Sequence, residues 1–285
     1  MSLVVTGGDL NSQEGVKIMH ERRKIHLGTH GEDYGNWMSN PVFYMVGGLT
    51  VLAVVLAILS FTVFVIPILA FLFMLIAVAF LAILVWIAWI RWQYSFSGGR
   101  IMERVYQTIL PYMDYDGKGT LLEIGCGSGA LSVYAALTWP ETKVVGVDYW
   151  GAIYHYSQSI CERNALTEGV ADRCEFRHGD ANTLDFPNES VDAVVSNYVY
   201  HNIMGADKQK LLLETLRVLK KGGVFALNDD MKPGAYGDME IFSQKLRDMG
   251  YEDVRLIDTA KEIFGSHRRA AMMMLGHSQL LVGRK

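Results

Sequence analysis

The residues of this chain best suited to chemistry begin in a glycine-rich stretch, LLEIGCGSGAL, from Leu121 to Leu131. The apolar run Leu121 to Ile124 reads as a strand. Gly125, Gly127 and Gly129 then allow a turn that carries backbone N–H groups close to a ligand before a helix begins. The spacing Gly125-x-Gly127-x-x-Ala130 also satisfies the dinucleotide-binding pattern, with Asp148 near its acidic position. The loop thus points to a bound group with polar atoms and leaves its identity open. Further along, SNYVYHNI supplies Asn197, Tyr198, Tyr200 and His201. His201 could act as a base, a role that competes with simply lining a pocket. Asp229 and Asp230 come next, but neighbours in an extended segment point apart, and DDMKPG reads as the start of a turn. Near the N-terminus, His26, His30, Glu32 and Asp33 are metal-type ligands. Gly28 and Gly31 disfavour the helix that would align them, so no metal is expected.

These groups need a scaffold, and the rest of the sequence describes one. Short apolar runs at Thr120 to Ile124, Lys143 to Val147, Cys174 to His178, Val191 to Ser196 and Gly223 to Leu227 predict strands. They alternate with helical patterns at Ala130 to Leu137, Ala152 to Leu166, Asp207 to Leu219 and Tyr236 to Met249. The alternation predicts a doubly wound α/β sheet. Two further strand candidates, EDVRLIDT and SQLLVGRK, lack a long helix between them, which predicts an antiparallel final strand at the sheet edge. A helix from Ile101 to Tyr112 precedes the sheet, after Gly98 and Gly99.

The N-terminal part has a different composition. The chain of 285 residues averages 51% hydrophobic and 20% charged, yet every residue from Tyr34 to Ile90 is uncharged. The apolar run from Pro41 to Ile90 is roughly twice the ~20 residues of one bilayer crossing. With Pro67 as the breaker, it predicts two transmembrane helices, Val42 to Phe64 and Pro67 to Ile90. Lys17, Arg22, Arg23 and Lys24 flank the pair on one side and Arg91, Arg100 and Arg104 on the other, so both ends are expected to face the cytoplasm. Trp37, Tyr44, Trp86, Trp89, Trp92 and Tyr94 gather at those ends, as rings at the headgroup level do. Three parts follow: a cytoplasmic segment 1–40 that could act as a lid, a membrane hairpin 41–90 and a catalytic domain 91–285. A net charge of -4 without a basic stripe excludes nucleic acid as the main partner. The cysteines, Cys126, Cys161 and Cys174, match neither a disulfide framework nor a zinc site. No secretory signal is expected, because forty mostly polar residues precede the apolar run.

Five blocks in order, LLEIGCGSGAL, VVGVDYW, FRHGDANTLDF, VDAVVSNYVYHNI and LLLETLRVLKKGGVFALND, give the chain from Gly98 to Lys285 a family resemblance. It resembles the class I S-adenosylmethionine-dependent methyltransferases, most of all the branch that acts on ubiquinone, menaquinone and sterols. The resemblance implies a seven-stranded Rossmann-like sheet with S-adenosylmethionine as cofactor and S-adenosylhomocysteine as product. It implies that Glu123, Gly125, Cys126, Gly127 and Gly129 pass around the methionine part, with the Glu123 carboxylate near the ammonium. Asp148 would accept from the ribose hydroxyls and Tyr149 would pack on adenine. Asp180 and Ala181 would bond the adenine edge, and Asn197 would line the methyl end. His201, Tyr200 and Tyr198 are the catalytic candidates. Asn197-x-x-Tyr200 lacks both prolines of the amine-methylating motif, which argues against nucleobase methylation. HRRAAMMML, with His267, Arg268 and Arg269 ahead of Met272 to Leu275, could touch headgroups. The expected function is methyl transfer to a lipophilic acceptor, a quinone, isoprenoid or other lipid, at the bilayer. Methylation of small lipophilic thiols or phenols, and a non-catalytic sensor or scaffold, stay open.

Overall fold

The computed structural model describes residues 25–151 and 156–285, and these fall into two compact units. One is built on Gly35–Ile101; the other combines the described residues up to Tyr34 with Met102–Trp150 and Tyr156–Lys285. Lys17, Arg22, Arg23 and Lys24, and the start of the helix expected from Ala152, lie outside the described residues.

The first unit is a hairpin of two helices, α1 (Asn40–Thr62) and α2 (Pro67–Tyr94), packed against each other. Each has proline in its first turn, where the missing N–H leaves no hydrogen bond unmade. Pro41 therefore lies inside α1, which starts at Asn40 and so earlier than expected. The second helix runs past Ile90 to Tyr94, because no breaker intervenes before Ser95 turns extended. The turn between them is tight: Val65 has a φ of 52°, and the Ile66 N–H donates to the Ser60 carbonyl at 2.9 Å. Both helices are long and apolar enough to cross a membrane. Only 17% and 11% of their most apolar windows are buried, the reverse of helices in a water-soluble core.

The open end of the hairpin is polar and aromatic. The Arg91 guanidinium donates to the Met38 carbonyl and, at 2.5 Å, to Asn40 Oδ1. It also stacks 5.5 Å from the Phe43 ring centroid. Asn36 donates to the Arg91 carbonyl at 2.8 Å, and Trp37 meets Tyr94 at 5.3 Å between centroids. The one cation of the hairpin thus ties the backbone just ahead of α1 and the side chain of its first residue to the end of α2.

The second unit is a seven-stranded mixed sheet in the order β3-β2-β1-β4-β5-β7-β6. Its strands are β1 (Gly119–Ile124), β2 (Thr142–Asp148), β3 (Cys174–His178), β4 (Val191–Asn197), β5 (Leu219–Asp230), β6 (Glu252–Asp258) and β7 (Ser278–Arg284). Helices α3 (Ile101–Ile109), α4 (Ala130–Thr138), α5 (Gln158–Thr167), α6 (Lys208–Arg217), α7 (Pro233–Tyr236) and α8 (Met239–Asp248) precede or link strands β1 to β6. Two short helices, α9 (Thr259–Phe264) and α10 (His267–Met272), join β6 to β7. The final strand is antiparallel, as expected, but it is not at the edge. It pairs with β5 on one side and β6 on the other, which leaves β6 as the border strand. A connection of two short helices is long enough for β7 to return between its neighbours.

Side chains alternate across the strands and so separate two environments. Leu122 and Ile124 of β1 join Val145, Val147, Val194, Phe225 and Leu227 in a core with Leu212, Leu216, Phe242 and Leu246 from α6 and α8. Glu123 faces the other way, toward α4.

Candidate active site

The strand order reverses between β1 and β4, and in open α/β sheets this switch point, at the carboxyl ends of the strands, is where ligands bind. The strand ends bring the expected residues to one edge. Ile124 pairs with Val147 and Ser196, Asp148 with His178, and Asn197 with Asn228. Glu123, the loop 125–129, Asp148, Asp180, Asn197, His201 and Asp229 all sit at or just beyond those ends.

The loop is shaped by contacts that side chains would block. At Gly125, φ is 73°, and an added Cβ would lie 2.2 Å from a Val199 methyl. At Gly129, φ is 80°, and a Cβ would press on Cys161 at 3.1 Å and Phe176 at 3.2 Å. The Gly125 and Cys126 N–H groups both donate to the Val147 carbonyl, at 2.7 and 3.1 Å, which ties the loop to the end of β2. Gly127 donates to Asp148 Oδ2 at 2.8 Å, and the Trp150 N–H donates to Oδ1 at 2.7 Å. Each carboxylate oxygen keeps a lone pair for a further donor. The Trp150 indole donates to the Gly127 carbonyl at 2.8 Å and braces the loop from the opposite strand end. Trp150, next to the predicted Asp148 and Tyr149 in VVGVDYW, carries no sequence signal of this role.

Glu123 is a buried carboxyl that accepts from the Ser132 hydroxyl. Burial pushes it up to about 8, against the pull of that hydroxyl. No cation among the described residues is paired with this carboxyl, and an incoming ammonium would favour its charged form. On the far side of β2, Tyr149 is exposed, its ring 5.2 Å from that of His178. Asp180 accepts from the Asn182 N–H at 2.8 Å and its side-chain amide at 2.7 Å, contacts that hold its carboxyl below the ordinary range. Ala181, beside it, packs on the core of the sheet.

The catalytic candidates separate. Tyr200 is fully buried in the core, with its hydroxyl 2.8 Å from Thr215 Oγ1. Tyr198 adopts a left-handed φ of 54°, and its hydroxyl lies 2.6 Å from Ser278 Oγ in a buried network with Thr259 and Asn228. Asn228 also donates to Asn197 Oδ1 at 2.9 Å and so fixes the Asn197 amide. His201 differs from both tyrosines. Its Nδ1 is hydrogen-bonded to Asp229 Oδ1 and its backbone N–H donates to Oδ2 at 3.2 Å. Asp229 is wholly buried, while the His201 side chain keeps 31% of its surface exposed. A carboxylate that accepts from Nδ1–H leaves Nε2 as the acceptor, the tautomer a base needs. The neighbouring Asp230 turns away, as expected, and pairs with Lys232 at 2.9 Å.

The described N-terminal residues also reach this loop. Asn164 of α5 donates to the Asp33 and Ser128 carbonyls, each at 2.9 Å, and accepts from the Asp33 N–H at 3.0 Å. The Ser128 hydroxyl donates to the Tyr34 carbonyl at 2.9 Å. In the C-terminal part, His267 pairs with Asp258 at 2.9 Å; Met273 and Leu275 are buried, while Met272 and Met274 are exposed.

The family described as "Methyltransferase domain" matches residues 122–227. A demethylmenaquinone methyltransferase of Listeria monocytogenes is 32% identical over 134 residues, 46% of this chain and 53% of the relative. A fatty-acid O-methyltransferase of Mycolicibacterium smegmatis is 32% identical over 126 residues, 44% of this chain and 42% of the relative. An rRNA N(6)-adenosine-methyltransferase of Caenorhabditis elegans is 34% identical over 132 residues, 45% and 58% of the two chains. The chain thus spans about half the length of the curated relatives it matches. Among solved structures, geranyl diphosphate C-methyltransferase from Streptomyces coelicolor A3(2) shares the fold, with a TM-score of 0.52 and 16% identity over 65% of this chain and 80% of that one. Residues 122–227 thus match a methyltransferase domain, and the sheet that carries them has the fold of a solved methyltransferase.

Proposed function

We propose that the chain is a membrane-anchored methyltransferase that carries a methyl group from S-adenosylmethionine to a lipophilic acceptor at the cytoplasmic face of a bilayer. The observation that carries this reading is the fusion of a switch-point site to two long apolar helices whose surfaces are mostly uncovered. In the proposed division, 1–40 is cytoplasmic, 41–90 is the anchor and 91–285 is catalytic. An acceptor dissolved in the bilayer is concentrated near an enzyme held there, so the anchor raises its effective concentration without a new contact. Relatives whose names specify demethylmenaquinone and a fatty acid are in keeping with a greasy acceptor.

S-adenosylmethionine supplies an electrophilic methyl on a sulfonium, so the protein's task is mainly to hold the acceptor in line. The backbone of Gly125 to Gly129, including Cys126, would pass beside the methionine part. Gly127 suits close approach, since a Cβ there would meet nothing nearer than the Tyr156 ring at 3.4 Å. Glu123 would receive the ammonium and Asp148 the ribose hydroxyls. Tyr149 would cover adenine, Asp180 and Ala181 would bond its edge, and Asn197 would line the methyl end. His201, oriented by Asp229, would remove a proton from an acceptor that must lose one, such as a hydroxyl.

The test supplies S-adenosylmethionine carrying an isotopically labelled methyl to the purified protein in lipid nanodiscs with a total extract of the source cells. Products are then partitioned between organic solvent, water and protein precipitate. Label in the organic phase is the expected result. Label confined to water or protein would overturn the lipid acceptor.

A further inference from the structure

The described N-terminal residues gather a set of ligands that the methyl-transfer site does not use. His30 Nδ1 lies 3.2 Å from Glu32 Oε1 and 3.5 Å from Glu168 Oε2, and the ligand atoms of the group all fall within 4.8 Å of one another. The Glu32 side chain is fully buried and that of Glu168 is 5% exposed. Glu32 Oε2 accepts from the His30 N–H at 2.9 Å, but Oε1, buried and turned into the cluster, has no hydrogen-bond donor among the described residues. A buried carboxylate oxygen without a donor is costly. Two carboxylates and an imidazole around it are hard and borderline donors of the kind that hold first-row divalent cations.

The spacing fits such an ion. A tetrahedral site with bonds of ~2.0–2.1 Å sets its ligand atoms ~3.3–3.4 Å apart, and the two distances from His30 Nδ1 are 3.2 and 3.5 Å. We propose that His30, Glu32 and Glu168 bind a divalent cation of the zinc class, with a fourth position left to water. The ion staples the segment His26 to Tyr34 to the end of α5. Adjacent bonds would carry its effect to the glycine loop: Asp33 is bonded to Asn164, and Asn164 and Tyr34 are bonded to Ser128. The expectation of no metal weighed His26 with His30, Glu32 and Asp33. The structure sends His26 to Glu103 instead and brings in Glu168 from the far end of α5.

The test uses the full chain in detergent, freed of metal and of any purification tag, titrated with Zn2+ alone and followed by calorimetry. Hydrogen–deuterium exchange of peptides covering 25–34 is the second readout. One saturable Zn2+ per chain, slowed exchange in 25–34, and at least a tenfold loss of affinity in Glu168→Gln are expected. His30→Gln changes an exposed side chain and carries the same expectation if Glu168→Gln fails to unfold cooperatively. His26→Gln, in the same segment, keeps the affinity. Absence of saturable binding, equal affinity in the His30 variant, or binding that leaves exchange in 25–34 unchanged would each overturn the site.

Discussion

The hairpin and the sheet domain solve opposite problems with the same few polar groups. In the hairpin, charge is confined to the open end, where Arg91, Asn36 and Asn40 close on one another, and most of the remaining surface is apolar. In the domain, buried polar groups stand at the carboxyl edge of the sheet, among them Ser196, Asn228 and Asp229, and these are tied to a backbone or a second side chain. The contrast teaches which changes each part can take. In a bilayer, the exposed positions of the hairpin would accept other apolar side chains and would not accept a charge. The domain tolerates surface charge, and its function is expected to suffer from the loss of a hydrogen bond at a strand end.

The largest effect is expected from breaking the hairpin's uniformity. Val55→Asp with Ile76→Asp sets two charges on exposed mid-helix positions, at ~2.5–3.5 kcal/mol each in a bilayer. The double variant should leave the carbonate-resistant membrane fraction, while any that remains folded keeps its affinity for S-adenosylhomocysteine within twofold. Unchanged membrane retention would remove the anchor from the proposal. Next in size is His201→Gln, which should lower kcat by about 10²–10⁴ if the acceptor must lose a proton, with cofactor affinity unaltered; Asp229→Asn should follow it. A kcat equal to that of the parent would return His201 to pocket lining.

A smaller effect, about 10² in Kd for S-adenosylhomocysteine by calorimetry, is expected from Asp148→Ala, given ~1.5 kcal/mol or more for each hydrogen bond to a charged group. Undiminished affinity would sink the ribose assignment. The smallest separates the two states of Glu123. Its folded value of about 8 stands above the ordinary 4.5, so the unfolded chain releases this proton first. Stability therefore falls as pH rises from about 4.5 to about 8 and levels off above. If the ligand's ammonium meets this carboxylate, affinity should rise from pH 6.5 to 8 by up to about sixteenfold, and Glu123→Gln should abolish the slope. A slope that survives in that variant belongs to another group.

The sheet was legible because parallel strands buried on both faces read as continuous β-branched runs, as in KVVGV and VDAVVS. The loop was legible because its glycines are forced by contacts with Val199, Cys161 and Phe176. What the sequence hides is lateral placement. Nothing local in SQLLVGR distinguishes an edge strand from one inserted between β5 and β6. Tyr198 and Tyr200 look equivalent until the backbone of the first enters the left-handed region and the second is swallowed by the core. Trp150 and Asn164 act through partners distant in sequence, and Glu168 joins His30 only because α5 ends beside them.

The inserted position of β7 also sets an order of events during synthesis. The helices of the hairpin are translated long before Ser278–Arg284, which the sheet needs to link β5 with β6. Until that strand emerges, β5 presents an unpaired edge of N–H and C=O groups, the kind of edge that recruits foreign strands. The nascent domain therefore stays open for nearly the whole of its own translation, and a ribosome that stalls before the last strand leaves a chain primed to aggregate.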